Sequence, residues 1–591
     1  MSLIAHRQRL TCGPPARQCS WIDRIAGIAS WSAVLLALSG GRVVAQEDQQ
    51  VESQRRTYVG FAKCISCHNS GLEDAVIRLP GGLSRAVTDD QWILYREFAI
   101  WSQSDKHGQA YAVLLNERSR KMGKLMGVRE IHRDLRCLAC HTGLPLADIT
   151  LDEQGMCTSE LVQLDDVRFG ISCEGCHGSS GDRRDTKGWF FPHAVQPTTD
   201  LSDSSTKDVW RFLAPQEKQE GYGYTDLRSP ANRARACLSC HLGDAPSGRV
   251  VTHEMYAAGH PPLPGFEIGA FVQQMPRHWR HLSEKGAQLQ QSFLASTRDP
   301  LFAEGVYRPD GLPKTTAALV GAMVSLGQSV TLLADLAEAK TNELLTQTPP
   351  WPDLAQYDCF ACHHELQPKG WRQFRHQRVG APGRPLLREW PTALVRLAVG
   401  ASGRNGEELQ QRLNPLYAAA AARPYGDKVT LIQQARKVAA WATEVAADLE
   451  KQNLTPEAGQ KLLSEICQIA ADQIVDYDSA RLMVWLFVFV DRELKATPED
   501  VTKLFTAKGV VDPLAGYSPD DPTGKILRDI EAGGVSLVIR QNRAAVQQLP
   551  GLSQPFNLEQ SALEKTLPVL EGYDARRFQN QMKALGNTLA P

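Results

Sequence analysis

The sequence predicts a mainly α-helical protein with extensive loops, organised as a motif-bearing region followed by a helical C-terminal domain. Three observations lead to this fold class. The motif Cys-x-x-Cys-His occurs five times, always before residue 364. Apolar residues recur at intervals of three and four in several long segments, which is typical of helices. Alternation of apolar and polar residues, which is typical of half-buried strands, is rare.

Each of the five motifs has the spacing that covalent attachment of a c-type haem requires. Two cysteines three residues apart can each form a thioether with a haem vinyl group, and the histidine that follows can then bind the iron. About 0.01 matches would arise by chance at this composition, so we expect five haem c groups. The attachment cysteines are Cys64 and Cys67, Cys137 and Cys140, Cys173 and Cys176, Cys237 and Cys240, and Cys359 and Cys362, and the iron-binding histidines are His68, His141, His177, His241 and His363.

Zinc sites and disulfides are the alternatives for so many cysteines. Paired Cys-x-x-Cys units also form tetrahedral zinc sites, but zinc gives no reason for a histidine to follow the second cysteine in all five copies. A disulfide framework would need neither the fixed spacing nor the histidines. Outside the leader and the motifs only Cys157 and Cys467 remain, and these could pair or stay apart. The sequence therefore predicts a multihaem cytochrome c domain.

The first 45 residues have the features of an export signal. Four arginines precede an apolar run of 14 residues, Ile25–Leu38, and cleavage is expected after Ala45. An uncleaved anchor is the alternative. Because c-type haems are attached outside the bacterial cytoplasmic membrane, we expect a periplasmic or otherwise extracytoplasmic location. No later segment is expected to span a membrane, since the most apolar stretch, Met483–Val490, has eight residues.

Charge argues against a nucleic-acid partner. The whole chain has 65 basic and 66 acidic residues. Removing the signal takes away five basic residues and one acidic residue, which leaves 60 and 65 and a formal charge of −5. Haem propionates would add further negative charge. A redox protein partner is the better electrostatic match.

The motifs divide the chain unevenly. After a signal peptide of residues 1–45, we expect a pentahaem domain over residues 46–379 and a haem-free helical domain over residues 380–591. The boundary is placed at residues 380–385 because this segment has two glycines and two prolines. Such residues neither extend a helix nor pair well in a sheet.

Helices are expected in both domains. In the haem domain, apolar spacing predicts one helix over about Thr88–Gly127 and another over about Thr315–Leu345. In the C-terminal domain Asp427 should cap a helix, and Thr455-Pro456 and Thr497-Pro498 mark two further helix starts in a small bundle. The run from Val511 to Lys525 is rich in Asp, Pro and Gly and is expected to be a loop.

Nine histidines remain besides the leader's His6 and the motif histidines, which is enough to give every iron a second histidine ligand. A surface or capping role is the alternative for any one of them. Methionine ligands are not expected, because methionines near the motifs are more often core residues. The nine are His107, His132, His193, His253, His260, His278, His281, His364 and His376.

Several stretches between residues 58 and 375 resemble one family. They are Trp101 with Asp105-Lys106-His107, Cys173-Glu174-Gly-Cys176-His177-Gly178, His253-Glu254-Met255, Ala257-Ala258-Gly259-His260-Pro261, Pro276-Arg-His278-Trp279 and Tyr357-Asp-Cys359-Phe-Ala-Cys362-His363-His364. They are similar to multihaem cytochromes c related to the cytochrome c-554 group, including large proteins of the planctomycete type. The resemblance implies that His107 and His260 are distal iron ligands.

Three more histidines are candidate ligands on the same grounds. His253 precedes His260 by seven residues, so the two would share one side of a helix or serve two haems from a loop. His364 resembles the second histidine of tetrahaem cytochromes that reaches a neighbouring haem, and His193 resembles a ligand downstream of the third motif. His278 is as consistent with packing or propionate binding as with ligation.

Electron transfer between redox protein partners through mostly bis-histidine haems is the first functional hypothesis. The alternative is an oxidoreductase that acts on small nitrogen or sulfur species at one open haem. Pentahaem nitrite reductases have a lysine in place of the motif histidine at their catalytic haem, and this chain departs from that pattern. A third hypothesis makes the C-terminal domain a docking module, although packing against the haem domain is the favoured explanation.

Overall fold

The computed structural model describes most of the chain after residue 57. The described residues are 58–69, 76–78, 84–86, 94, 96–145, 149–181, 188–194, 210–304, 306–308, 311–340, 351–359, 362–363, 385–452, 454–495, 514, 517–537 and 573–589. The predicted signal peptide, His364, His376 and most of the predicted boundary segment lie outside them. Residues 56–591 form one compact unit.

The described part is mainly α-helical, as predicted. Two short antiparallel strands, β1 (Val76–Arg78) and β2 (Ser84–Ala86), pair with Val76 opposite Ala86. The helices of the first half are α1 (Phe61–His68), α2 (Glu97–Ser104), α3 (Glu117–Leu125), α4 (Leu135–His141), α5 (Ser159–Gln163), α6 (Asp165–Arg168), α7 (Cys173–His177), α8 (Phe190–Ala194), α9 (Pro215–Tyr222), α10 (Pro230–His241), α11 (His253–Ala257), α12 (Ile268–Gln274) and α13 (Ala287–Ser296).

Longer helices follow. They are α14 (Pro313–Glu338), α15 (Val395–Ala401), α16 (Gly406–Ala421), α17 (Lys428–Glu450), α18 (Pro456–Gln473), α19 (Tyr477–Lys495), α20 (Pro522–Ala532) and α21 (Ala575–Asn587). Short 3-10 turns connect helices throughout, at Lys106–Gln109, Ala112–Leu115, Ile131–Arg133, Trp210–Phe212, Leu282–Glu284, Pro300–Phe302, Leu354–Gln356 and Trp390–Thr392.

The single helix predicted over Thr88–Gly127 is wrong. The chain instead forms α2, two 3-10 turns and α3. The break falls at Asp105, whose backbone is extended and whose side chain accepts a hydrogen bond from the backbone N–H of His107. Asn116 then caps α3 in the same way. Aspartate and asparagine compete for backbone N–H groups and so end and restart helices.

The prediction of a long helix near residue 315 is confirmed with shifted bounds. Helix α14 begins at Pro313 and ends at Glu338, where Ala339 adopts a left-handed backbone with φ 58°. It is the one helix among the described residues that is long and apolar enough to cross a membrane. The expectation that no segment has this length is therefore corrected. However, 78% of its most apolar window is buried inside the protein, as in the core helix of a soluble fold.

The C-terminal predictions are partly confirmed. Asp427 caps α17 and Thr455 caps α18, with Pro456 in the first turn. The residues around Thr497 lie outside the described part. The loop predicted to run to Lys525 ends earlier, because Asp521 caps α20, which begins at Pro522.

One hydrophobic core joins the two predicted domains. It contains buried residues of α10, which carries the fourth motif, of α14 and of the helices α15–α21. Close approach requires small residues at the contacts: a Cβ at Gly269 of α12 would lie 2.8 Å from the ring of Phe489 in α19. Helix α14 likewise meets α17 where Gly327 faces Ala442. The division at residue 380 remains a prediction.

Carboxylates of the C-terminal helices also cap helices of the motif-bearing region. Glu450, at the end of α17, accepts hydrogen bonds from Ser229 Oγ at 2.7 Å and from the backbone N–H of Ala231 at 2.9 Å, at the start of α10. Glu493 accepts from the backbone N–H groups of Lys314 and Thr315, at the start of α14. Negative charge at a helix N-terminus is favourable.

We predict that Glu450→Gln lowers the free energy of unfolding by about 1–2 kcal/mol, because a charge-assisted cap of the fourth-motif helix is weakened. Calorimetric unfolding of the haem-loaded protein should show a lower Tm. Glu444→Gln, an exposed residue of the same helix, is the matched control. Equal Tm values for the two variants would contradict the capping role.

Candidate haem sites

Four of the five motifs lie at the ends of short helices. In α1, α4, α7 and α10 the motif histidine is the last helical residue. A helix places residues three apart on one face, so both cysteines of each motif lie on the same side. In the fifth motif Cys359, Cys362 and His363 are described and lie in turns.

Three motif histidines each lie opposite a histidine predicted to be a distal ligand. The ring centroids are 5.9 Å apart for His68 and His193, 6.1 Å for His241 and His107, and 6.3 Å for His363 and His253. An iron bound by two imidazoles places their centroids about 6 Å apart, since each metal–nitrogen bond is about 2 Å long and the centroid lies about 1 Å behind the nitrogen. The three pairs therefore fit a haem iron between them.

Hydrogen bonds orient several of these rings. Nδ1 of His68 lies 3.1 Å from a carboxylate oxygen of Glu97, and Nδ1 of His107 lies 2.9 Å from one of Asp105. Nδ1 of His141 donates to the backbone carbonyl of Ala110 at 2.6 Å. Each contact leaves Nε2 as the free ring nitrogen, which is the usual arrangement of a metal-binding histidine.

Burial keeps most of these imidazoles neutral, which is the form that binds a metal. It lowers the pKa of His193 to about 3, and the pKa values of His177, His241 and His260 to about 4. Burial would also lower the pKa of His68, but the hydrogen bond and charge of Glu97 outweigh it, so that pKa is raised. Asp105 raises the pKa of His107 in the same way.

The other candidate ligands, His260, His278 and His364, are not seen paired with a motif histidine among the described ring contacts. Nδ1 of His260 donates to the carbonyl of Pro261 at 2.8 Å. The charge of His141 contributes to the lowered pKa of His260, so His141 and His260 are near each other. His278 packs edge-on against Trp279. Burial is the main cause of the lowered pKa of His177, and the charge of His278 is the second cause. His364 lies outside the described residues. The contact with Trp279 agrees with the packing role that the sequence allowed for His278, and ligation remains the alternative.

Cysteines of different motifs meet in two places. The thiols of Cys64 and Cys173 lie within hydrogen-bonding reach, and so do those of Cys140 and Cys240. The attachment points of the first and third motifs are therefore adjacent, as are those of the second and fourth. Cys157 and Cys467, by contrast, are free, buried and in separate hydrophobic clusters.

Glu174, inside the third motif, ties that motif to the first. Its buried carboxylate accepts hydrogen bonds from the backbone N–H of Val59 and Gly60, just before α1, and from the N–H and hydroxyl of Ser180. Asp166 accepts from the N–H of Phe61 and caps α1. The sequence showed Glu174 only as a residue between two cysteines, so its bridging role was missed.

Trp101 and Gly170 hold the segment of His107 against the third motif. The indole N–H of Trp101 donates to the carbonyl of Ile171 at 3.0 Å, and the N–H of Ile171 donates to the carbonyl of His107. Gly170 has φ 68°, and a Cβ there would lie 2.4 Å from the same His107 carbonyl. Only glycine allows this approach.

An aromatic cluster lies between the histidines of the first and third sites. Tyr224 stacks on His177 with centroids 5.4 Å apart, and Trp189 contacts both Tyr224 and His193. The ammonium of Lys218 lies over Tyr224 and over the neighbouring Trp210, and it is paired with buried Asp226 at 2.8 Å. No local sequence pattern indicated this cluster, because Trp189, Trp210 and Tyr224 are brought together only by the fold.

We predict that Glu174→Ala lowers the free energy of unfolding by about 2–3 kcal/mol, since it leaves buried backbone N–H groups without an acceptor. Limited proteolysis should cut the variant before the first motif, near Tyr58, faster than the native protein. Glu153→Ala, at an exposed turn, is the control and should be cut at the native rate. The bridging role fails if both variants resist protease equally.

One family comparison covers the centre of these sites. Residues 95–178, which include Trp101, His107 and the second and third motifs, match the family described as cytochrome c554 and c-prime. No curated protein and no solved structure gives a significant match. Among the described residues no three or more His, Cys, Asp or Glu converge to hold a bare metal ion. A haem iron needs only two axial ligands from the protein. The match at residues 95–178 supports a c-type cytochrome related to the cytochrome c-554 family.

Proposed function

We propose that the protein is a periplasmic pentahaem c-type cytochrome that carries electrons between redox protein partners through mostly bis-histidine haems. The observation that carries this proposal is the set of three imidazole pairs with centroids 5.9–6.3 Å apart. A histidine on each side of an iron leaves no position for a substrate. Haem supplies one-electron redox chemistry when bound.

The chain supports transfer by holding its ligands still. His68, His107 and His141 each have Nδ1 fixed by an acceptor, so their rings cannot turn freely. The aromatic cluster packs His177 and His193 on their remaining sides. A site whose ligands stay in place between oxidation states exchanges electrons with little rearrangement.

The contacts between motifs support an array of haems and not isolated ones. Cys64 adjoins Cys173, and Cys140 adjoins Cys240, so two pairs of cofactors are attached at neighbouring points. His107 belongs to the segment that packs on the third motif, yet its ring faces His241 of the fourth. The first four motifs are thus linked in one connected group.

The number of haems and the location complete the proposal. Five motifs argue for five haems, and the fifth motif histidine, His363, lies 6.3 Å from His253 between ring centroids. The basic and apolar leader supports export, and export brings the chain to the compartment where c-type haems are attached.

A second candidate is an oxidoreductase that acts on small nitrogen or sulfur species at one open haem. The surroundings of His141 favour it. In the part of the chain that the structure describes, no aromatic or imidazole ring contacts the ring of His141, unlike the other four motif histidines. Low-temperature EPR of the oxidised protein separates the candidates: five low-spin irons support the carrier, and one high-spin iron that shifts with nitrite or hydroxylamine supports the enzyme.

The axial pairs are tested by removing one ring from each. His193→Ala, His107→Ala and His253→Ala should each convert one low-spin iron to high-spin in EPR, because one axial ligand is lost. His132→Ala removes a half-buried histidine that contacts no motif histidine among the described residues, and its spectrum should match the native one. A native spectrum from any of the first three variants would refute that pairing.

The carboxylate behind His107 should tune the reduction potential. A carboxylate that accepts from Nδ1 makes the imidazole a stronger donor and stabilises oxidised iron. Asp105→Asn should therefore raise the potential of the haem at His241 by about 30–60 mV, on a scale where a tenfold change for one electron is 59 mV. Spectroelectrochemical titration measures this shift.

The haem at His141 serves as the internal control for that titration. Its histidine donates to a backbone carbonyl, which the substitution does not change. A shift of equal size at both haems, or a fall in potential at His241, would show that Asp105 does not act through the axial imidazole.

A further inference from the structure

Positive charge is concentrated on and after helix α3. Residues 117–130 contain five basic residues and two acidic ones, although the whole chain has 65 and 66. The same region has two exposed leucines, Leu115 at 42% just before α3 and Leu125 at 72% at its end. We call this surface the basic face and define it by Leu115, Arg120, Lys121, Lys124, Leu125 and Arg129.

The charge of the basic face is largely uncompensated. Lys121 pairs with Glu117 at 2.9 Å, but both side chains are more than 60% exposed, so the pair is screened by water. Glu130 pairs with Arg133, outside the basic face. Lys124 and Arg129 have no ion-pair partner among the described residues. The surface therefore attracts negative charge.

The opposite side of α3 adjoins the second haem site. Ser119, Met122 and Gly123 are buried, and a Cβ at Gly123 would lie 2.8 Å from the carbonyl of Val128. Met122 also approaches Gly259, the residue before His260. The 3-10 turn Ile131–Arg133 then leads into α4, which ends at His141. One helix, about 10 Å across, separates the basic face from this site.

We propose that the basic face is the docking surface through which an acidic one-electron redox protein exchanges electrons with the haem at His141. The proposal rests on the electron-carrier function proposed above. Charges at the rim of an interface steer association and set its rate, and exposed apolar residues at the centre supply contact area. Redox encounters are small and transient, which suits one short helix and its loop.

Charge complementarity selects the partner. An acidic protein would have to approach a chain whose formal charge is close to zero or negative, and the basic face is where that approach is favourable. An anionic membrane is a different occupant of the same charges. However, two exposed leucines, Leu115 just before α3 and Leu125 at its end, give little apolar area for insertion.

The test uses the haem-loaded protein and reduced plant-type ferredoxin, an acidic one-electron donor, in stopped flow. Lys124→Glu with Arg129→Glu reverses two charges of the basic face. Leu125→Ser removes the more exposed of its two leucines. Lys437→Glu with Lys461→Glu makes the same charge change at exposed positions of α17 and α18. Dithionite, a small reductant, reports whether each variant still takes up electrons.

For native protein we expect the rate with ferredoxin to fall as ionic strength rises. At low ionic strength the Lys124→Glu, Arg129→Glu variant should be slower by tenfold or more, and Leu125→Ser should be slower at every ionic strength. The control should stay within twofold of native. Dithionite reduction should be unchanged in all of them.

Equal rates for the basic-face variant and the control would overturn the docking surface while leaving the carrier function intact. Sedimentation with vesicles that contain phosphatidylserine tests the membrane: binding that is lost in the basic-face variant, together with native ferredoxin rates, also overturns it. The carrier function itself would be refuted if dithionite reduced the native protein but no protein donor exchanged electrons with it.

Discussion

The proposed function depends on one geometric constraint: two imidazole rings that bind one haem iron must have their centroids about 6 Å apart. The motif supplies one ring next to the covalent attachment, and the other must come from a distant part of the chain. His68 meets His193 across 125 positions, and His107 meets His241 across 134. The proposal thus accounts for the short helices and the long connections between them, since the loops would carry histidines to remote motifs.

Carboxylates and buried surroundings orient the imidazole rings and hold the motifs next to one another. Glu97 and Asp105 orient and polarise two imidazoles, while burial holds others neutral. Glu174 and Asp166 connect the segment before α1 to the third motif, so that the first and third attachment points meet. In the same way, Glu450 connects the fourth motif's helix to α17. The C-terminal helices are thus part of the scaffold of the motif-bearing region.

Local chemistry was predictable from the sequence, and distant contacts were not. The cap at Asp427 and the long apolar α14 follow from capping residues and periodicity, whereas the helices that carry four motifs were not predicted. The helix predicted through His107 failed because Asp105 binds the backbone of His107 instead of continuing the helix. The missed bridge of Glu174 has a different cause. Its partners, Val59 and Gly60, are brought to it by tertiary packing, which no local pattern encodes.

Anomalous diffraction at the iron edge, from crystals of the haem-loaded protein, tests the central claim most directly. The account predicts five iron peaks, with one peak between His68 and His193, one between His107 and His241, and one between His253 and His363. Each of these irons should lie about 2 Å from both Nε2 atoms. A ring pair with no iron between its members, or an iron there held by a different residue, would contradict it.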